Sequence, residues 1–99
     1  MTKKPPNFSD INRAALAVLP ALVRRWCPGG HMLGSDYTTK NPTRGDKRPG
    51  SFKINVQSGR WADFATDESG GDPISLAAYL SGSSQLEAAR NLAAQLGVQ

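Results

Sequence analysis

The chain has 99 residues, of which 38% are hydrophobic, and its formal net charge at pH 7 is +4. A chain of this size forms one domain with a single modest core. No stretch approaches the roughly 20 apolar residues of a membrane span, and the single cysteine excludes an internal disulfide. The basic N-terminus lacks the apolar run of a signal peptide, so we expect a soluble, cytoplasmic protein that does not contact a membrane.

The charge is distributed unevenly along the chain. Residues 24–60 carry eight cations and two anions, whereas residues 61–99 carry one cation and five anions. Glycine, proline and aromatic residues are interleaved with the cations of the basic segment, which favours a polyanionic partner such as nucleic acid. The alternative is a solvated loop whose cations only keep the protein soluble.

The N-terminal part of the chain predicts two helices. Ser9 is a good candidate for the N-cap of the first helix, and apolar residues then recur at helical spacing. Pro20 interrupts this pattern, because an interior proline removes a hydrogen bond and clashes with the preceding turn. The helix therefore either kinks, or ends near Leu19 and restarts with Pro20 in its first turn. The second helix ends at Pro28-Gly29-Gly30.

The segment between residues 31 and 50 shows little periodicity. Tyr37-Thr38-Thr39 fits a short edge strand, and residues 41–50 consist of residues that favour turns. A loop of this length in a small domain is usually functional or disordered. The cations within it favour a functional role.

Residues 51–57 alternate between apolar and polar side chains, which predicts a half-buried strand. The strand that returns after the following turn has two possible registers. A two-residue loop buries Trp61 and turns Phe64 outward, whereas a three-residue loop buries Phe64 and leaves Trp61 on the face of Lys53. We favour the three-residue loop, because it keeps Asp63 off the apolar face.

The C-terminal part of the chain predicts a pair of helices. Asp72 is a good N-cap and Pro73 suits the first helical position. A second amphipathic helix starts at Ser84, which has capping-box spacing to Glu87. The two helices therefore form a short αα-hairpin.

The residues offer little catalytic chemistry. Cys27 and His31 are the only thiol and imidazole, and their spacing supplies two zinc ligands where a closed structural site needs four. As a nucleophilic pair they lack an orienting third group. The acidic residues between 63 and 72 could gather a magnesium ion, but a polar turn followed by a helix cap explains them more simply. We therefore expect no catalysis and no cofactor.

A series of motifs in the second half of the chain resembles a known family. The motifs are Asn41-Pro42-Thr43-Arg44, then Pro49-Gly50-Ser51-Phe52, then Trp61-Ala62-Asp63-Phe64, then Gly70-Gly71-Asp72 before an alanine-rich helix. In this order they resemble the N-terminal zinc-binding domain of bacterial-type DNA primases. The resemblance is closer to the variant that begins primase/helicase proteins of phages, plasmids and integrated elements, and it covers roughly residues 40–97.

The chain departs from that family at the metal. The family carries a Cys-Pro-x-His pair and a Cys-x-x-Cys pair, and here the four ligand positions hold Asn41, Arg44, Trp61 and Phe64. The resemblance therefore implies a ribbon without zinc, in which an aromatic and polar mini-core replaces the metal. Burial of each large apolar side chain would supply about 1.5–3 kcal/mol toward this replacement.

These expectations combine into an α+β fold. A small antiparallel sheet, a zinc-ribbon-like hairpin without zinc, is flanked by the N-terminal helices and the C-terminal αα-hairpin. We expect residues 1–8 to form a flexible tail and residues 9–99 to form a single domain.

The resemblance implies a domain that engages single-stranded template beside a primase, polymerase or helicase catalytic domain. The residues agree on the class of partner, because cations track phosphates and exposed aromatic rings stack on bases. We therefore expect a non-catalytic domain or accessory subunit that binds single-stranded DNA. The residues expected to meet phosphates are Lys40, Arg44, Lys47, Arg48, Lys53 and Arg60, with Tyr37 as a stacking residue and Trp61 as a second one in the three-residue-loop register.

A protein-interaction module is the alternative function. In that case the acidic C-terminal helices dock on a replication partner and the basic loop is merely solvated. Substitutions of Glu87 and Arg90 would then matter more than substitutions in the loop.

Overall fold

The computed structural model describes residues 6–43 and 50–98. Helices and strands within these residues form an α+β fold that ends in a helix pair, as predicted. In chain order the elements are α1 (Phe8–Ala17), α2 (Leu19–Trp26), β1 (His31–Leu33), β2 (Asp36–Thr39), β3 (Phe52–Asn55), β4 (Trp61–Asp63), β5 (Glu68–Gly70), α3 (Pro73–Ser81) and α4 (Gln85–Leu96).

The strands form one antiparallel sheet in which each strand pairs with its neighbours in sequence. The predicted hairpin corresponds to β3 and β4. The prediction that Tyr37-Thr38-Thr39 lies at an edge is wrong, because β2 pairs with both β1 and β3. Strands β1 and β5 are three residues long, which is too short for an alternating pattern to reveal them in the sequence.

One face of the sheet, here called the inner face, packs against the helices. Side chains alternate between the two faces of a strand, and the inner positions of β2, β3 and β4 are buried together with apolar residues of all four helices. The buried inner-face residues include Tyr37, Phe52, Ile54, Trp61 and Asp63. The opposite face, here called the outer face, carries no helix among the described elements.

The register of the hairpin differs from the one favoured above. Ile54 lies opposite Trp61, and Phe52 lies opposite Asp63. Trp61 is consequently buried at 5% exposure, whereas Phe64 is 67% exposed. The outcome for these two side chains is that of the two-residue loop, but the connection is longer than either predicted loop and spans residues 56–60.

The N-terminal helices differ from the prediction at the start of α1 and decide between the two predicted forms of the interruption before α2. The N-cap of α1 is Asn7 rather than Ser9, and its side chain accepts a hydrogen bond from the backbone of Asp10. Asn7 and Phe8 therefore belong to the helix and not to the predicted tail. Helix α1 ends at Ala17, and α2 begins at Leu19 with Pro20 in its first turn. The prediction of two separate helices is therefore confirmed over that of one kinked helix.

The predicted caps of the C-terminal helices are confirmed. The Asp72 carboxylate accepts a hydrogen bond from the backbone N–H of Ser75 at 2.8 Å, and the Ser75 side chain completes a capping box. Ser84 accepts from the backbone N–H of Glu87 at 3.1 Å. Within the described residues, no helix combines the length and apolarity needed to cross a membrane.

Gly70 and Gly71 provide a matched test of this packing. A Cβ at Gly70 would collide with the Trp61 indole and the Ser75 hydroxyl, whereas a Cβ at Gly71 would meet nothing within 4 Å. We expect Gly70→Ala to lower the free energy of unfolding by about 1–3 kcal/mol, the usual cost of overpacking. Gly71→Ala should leave it unchanged or raise it by up to about 1 kcal/mol. Urea denaturation of both variants measures the difference, and equal stabilities would contradict the packing of Trp61 against β5.

Candidate nucleic-acid interface

The outer face of the sheet is a polar surface built by strand alternation. Thr38, Lys53, Ala62 and Ser69 lie opposite one another on β2 to β5, and they point away from the buried row that contains Trp61. Thr38 is itself buried at 8% exposure, so the accessible part of this face runs from Lys53 to Ser69. Because the side chains of Ala62 and Ser69 are small, the surface is recessed near β5. A groove of about 640 Å³ lies there, within the roughly 300–1,000 Å³ typical of ligand sites.

Two of the predicted phosphate-binding cations line this groove. Lys53 and Arg60 are both exposed. Arg13 and Asp10 of α1 form an ion pair at 3.6 Å. Within residues 6–43 and 50–98 neither groove cation forms an ion pair, although the Asp36 carboxylate lines the same groove. Lys40 is also exposed, one residue beyond β2. The charge of this surface is therefore available to an anionic partner.

An exposed aromatic ring accompanies these cations. The Phe64 side chain is 67% exposed just beyond β4, and the Lys53 ammonium lies 6.0 Å from the centroid of its ring. This distance is at the limit of a cation–π contact. Phe64 combines an open π-face with an adjacent positive charge, which is the pairing that a stacked, phosphate-linked base requires.

The two aromatic residues predicted to stack on bases are buried instead. Tyr37 is 1% exposed; its hydroxyl donates to the carbonyl of Cys27 at 2.7 Å and accepts from the backbone N–H of Gly30 at 3.1 Å. Trp61 points into the core. Tyr37 therefore offers no open ring face, and Trp61 loses its predicted role because the three-residue-loop register on which that role depended is not adopted. Phe64 faces solvent instead, as expected for the two-residue loop.

Three of the predicted DNA-contacting residues lie outside the described residues. They belong to the basic loop, and they are Arg44, Lys47 and Arg48. The structure therefore describes Lys40, Lys53 and Arg60 of the predicted set of cations, and it brings Lys53 and Arg60 to one groove.

A buried polar cluster occupies part of the region where the family would bind zinc. The Asn41 amide donates to the Asp63 carboxylate at 2.6 Å and to the Tyr79 hydroxyl at 2.8 Å. The Asn41 carbonyl oxygen accepts from the backbone of Thr43 at 2.9 Å, and the other Asp63 oxygen accepts from the backbone of Ala65 at 2.9 Å. Asn41 and Asp63 are fully buried, so this cluster ties the start of the basic loop to β4.

Aromatic packing lies beside the polar cluster. The Trp61 and Tyr79 rings stack with centroids 4.7 Å apart, and Phe52 meets Trp61 edge-on at 6.1 Å. The Trp61 indole N–H donates to Ser75 Oγ at 3.0 Å. Of the four positions that the resemblance aligns with metal ligands, Asn41 and Trp61 contribute to a polar and aromatic mini-core, whereas Phe64 lies outside it and Arg44 lies outside the described residues.

The two residues considered as metal ligands have different environments. Cys27 is buried in the core, and burial raises the pKa of its thiol to about 11. His31 is exposed on β1. In the described part of the chain, no three histidine, cysteine or acidic side chains come together in a group that could hold a metal ion.

A second cavity lies between α3 and α4. Its volume is about 330 Å³, and its lining is largely apolar, with Trp26, Leu80 and Leu92 among its residues. Most of its lining lies on α3 and α4, and Trp26 of α2 and Pro42 at the start of the basic loop complete it. An apolar cleft of this kind is the feature of the structure that a protein-interaction module would use.

No protein-family model matches this chain, and no curated protein sequence matches it. The resemblance to primase zinc-binding domains therefore stays a prediction that rests on the motifs quoted above.

The buried polar cluster can be tested by making the same aspartate-to-asparagine substitution at two positions, one inside the cluster and one outside it. Asp63→Asn keeps the shape of the side chain but replaces one carboxylate oxygen with an NH2 group. That NH2 group would then face an N–H donor, either the Asn41 amide or the Ala65 backbone. We expect a loss of about 1–3 kcal/mol in the free energy of unfolding, the cost of an unsatisfied buried group. Asp67→Asn is the control, because Asp67 is exposed at a backbone φ of 61° that asparagine also tolerates. Urea denaturation that finds both variants equally stable would contradict the cluster.

Proposed function

We propose that this chain is a non-catalytic domain that binds single-stranded DNA across the outer face of its sheet. The observation that carries the proposal is the exposed Phe64 ring with Lys53 beside it, on the surface that also presents Arg60. Apart from their approach to each other at 6.0 Å, neither the cation nor the ring belongs to the buried core, and both are exposed. Both groups suit a flexible polyanion, because a cation can contact its phosphates and an exposed ring can stack on its unstacked bases.

The physical basis of binding has two parts. Cations that neutralise phosphates release condensed counterions, which makes the affinity depend on salt. An aromatic ring stacks on a base of any identity, and each stacked base is worth about 1–3 kcal/mol. Lys53, Arg60 and Lys40 supply the first part and Phe64 supplies the second. Double-stranded DNA would offer only the first part, because its bases are already stacked.

The wider setting of the proposal comes from the primase resemblance. We propose that the domain works in the cytoplasm as a part or an accessory subunit of a primase or helicase. In that setting the catalytic domain acts on the template strand that this domain engages, and the domain itself contributes no reacting group. The basic loop at 44–49 adds Arg44, Lys47 and Arg48 to the proposed contacts.

A charge-reversal variant tests the electrostatic part. We expect Lys53→Glu with Arg60→Glu to weaken binding to labelled oligo-dT and to flatten the dependence of log K on log salt by about 0.7 for each lost phosphate contact. Arg24→Glu with Arg90→Glu is the matched control, since both arginines are exposed on helices, the change in net charge is the same, and neither is proposed to touch DNA. Fluorescence anisotropy at several salt concentrations measures both quantities. An equal loss of affinity in the control would mean that only net charge matters, and the proposed surface would be wrong.

A second variant tests the stacking part. We expect Phe64→Ala to weaken oligo-dT binding by about 1–3 kcal/mol while leaving the salt dependence and the free energy of unfolding unchanged. Leu86→Ala is the control, because Leu86 is an exposed apolar residue at 44% exposure on α4. Unchanged affinity in Phe64→Ala would remove Phe64 from the interface.

One observation favours the alternative function, a protein-interaction module that docks on a replication partner. It is the apolar cavity between α3 and α4, whose lining is on the helices that the alternative assigns to docking. The alternative predicts that the chain binds no single-stranded DNA even at low salt. Oligo-dT binding that depends on Lys53, Arg60 and Phe64 would exclude it as the main function.

A further inference from the structure

The groove on the outer face contains one carboxylate among its cations. Asp36 begins β2 and lies opposite Asn55 of β3, and both side chains are half-buried and line the groove with Lys53 and Arg60. A carboxylate repels phosphates, so its presence weakens a surface that only tracks the backbone of a nucleic acid. Its presence is favourable where a ligand offers hydrogen-bond donors.

The Asn55 side chain has a fixed orientation. Its carbonyl oxygen accepts hydrogen bonds from the backbone N–H groups of Gln57 and Ser58 at 3.0 and 2.9 Å. These two bonds direct its NH2 group toward Asp36, whose carboxylate accepts from it at 3.2 Å. The NH2 group has a second hydrogen. The pair therefore presents two acceptor oxygens next to one amide donor, held in place by the β3–β4 connection.

This pattern matches one nucleobase better than the others. The pairing edge of guanine offers an amino group and a ring N–H, both donors, followed by the O6 acceptor. A carboxylate takes two adjacent donors in a bidentate manner, and the amide donor of Asn55 suits O6. Cytosine and adenine offer one donor group on that edge beside a ring acceptor, and thymine offers one N–H between two carbonyl oxygens. Each of these three would leave a partner unmatched.

The groove is open to solvent, and its lining runs across the outer face from Asp36 and Asn55 to Gly71. The polar pair lies at the β2–β3 end of the groove, whereas Gly71 follows β5 and is separated from the pair by β4. Both side chains of the pair are half-buried, so a base can approach them from solvent.

We propose that this groove binds one unpaired guanine of the single strand, with its pairing edge on Asp36 and Asn55. The inference rests on the proposed function and adds base selectivity to it. Phe64 remains available to stack on a neighbouring base of any identity, and Lys53 and Arg60 contact the phosphates of the same strand. The domain then distinguishes guanine-containing sites within a strand that it otherwise binds by charge and stacking.

The test uses four labelled oligonucleotides that are identical except for one central position in a dT tract. We expect the guanine oligonucleotide to bind about tenfold more tightly than those with adenine, cytosine or thymine, which is within the range of a good bidentate contact to a base. Hypoxanthine at the same position keeps the ring N–H and O6 but lacks the amino group. Its affinity should fall between those of guanine and thymine in the unaltered protein.

Two variants locate the preference. Asp36→Asn should remove the preference for guanine and leave binding to the all-dT oligonucleotide unchanged or slightly tighter, because it removes a charge that repels phosphates. Asp67→Asn, the same change outside the groove, should keep the preference.

The outcomes separate this inference from the proposed function. Equal affinity for all four oligonucleotides would overturn the guanine site while the surface of Lys53, Arg60 and Phe64 could still stand on its own tests. A guanine preference that persists in Asp36→Asn would also overturn it. Absence of binding to every oligonucleotide at low salt would overturn both proposals.

Discussion

The burial of Trp61 is the constraint on which the rest of the structure depends. Its ring stacks on Tyr79 of α3, meets Phe52 of β3 and donates to Ser75, so it joins the sheet to the helix layer. Because strand side chains alternate, an inward Trp61 obliges Ala62 to face outward and Asp63 to face inward, and the chain beyond β4 presents Phe64 to solvent. The same contact that closes the core therefore also produces the aromatic ring of the outer face.

The inward position of Asp63 follows from this constraint and has a cost that the structure offsets. A fully buried carboxylate is unfavourable unless its oxygens accept hydrogen bonds. Asn41 and the backbone of Ala65 supply them, and Asn41 also reaches Tyr79. These hydrogen bonds anchor the beginning of the basic loop to the sheet.

Much of the fold follows from local signals in the sequence. The proline break before α2, the Asp72 and Ser84 caps and the alternation of β3 each depend on residues close together in the chain, and each is confirmed, although β3 ends at Asn55 and not at Gln57. The errors concern partners that are distant in sequence. The three-residue-loop register keeps Asp63 off the apolar face, but nothing local indicates that Asn41 satisfies a buried Asp63. The burial of Tyr37 is likewise hidden from the sequence, because its hydrogen-bond partners Cys27 and Gly30 meet it only in the folded structure. For the candidate site, the predicted cations Lys53 and Arg60 are exposed on one groove, whereas the stacking residue was misassigned by the same register error.

The central claim is that the outer face of the sheet, and not the helical layer, meets single-stranded DNA. Amide chemical shifts of the isotope-labelled protein during titration with an oligonucleotide test it most directly, because they report contacts along the whole chain without any substitution. The account predicts shifts that are largest at Lys53, Arg60, Ala62 and Phe64 and small along α3 and α4. Shifts concentrated at the cavity between α3 and α4, with the outer face unchanged, would contradict it.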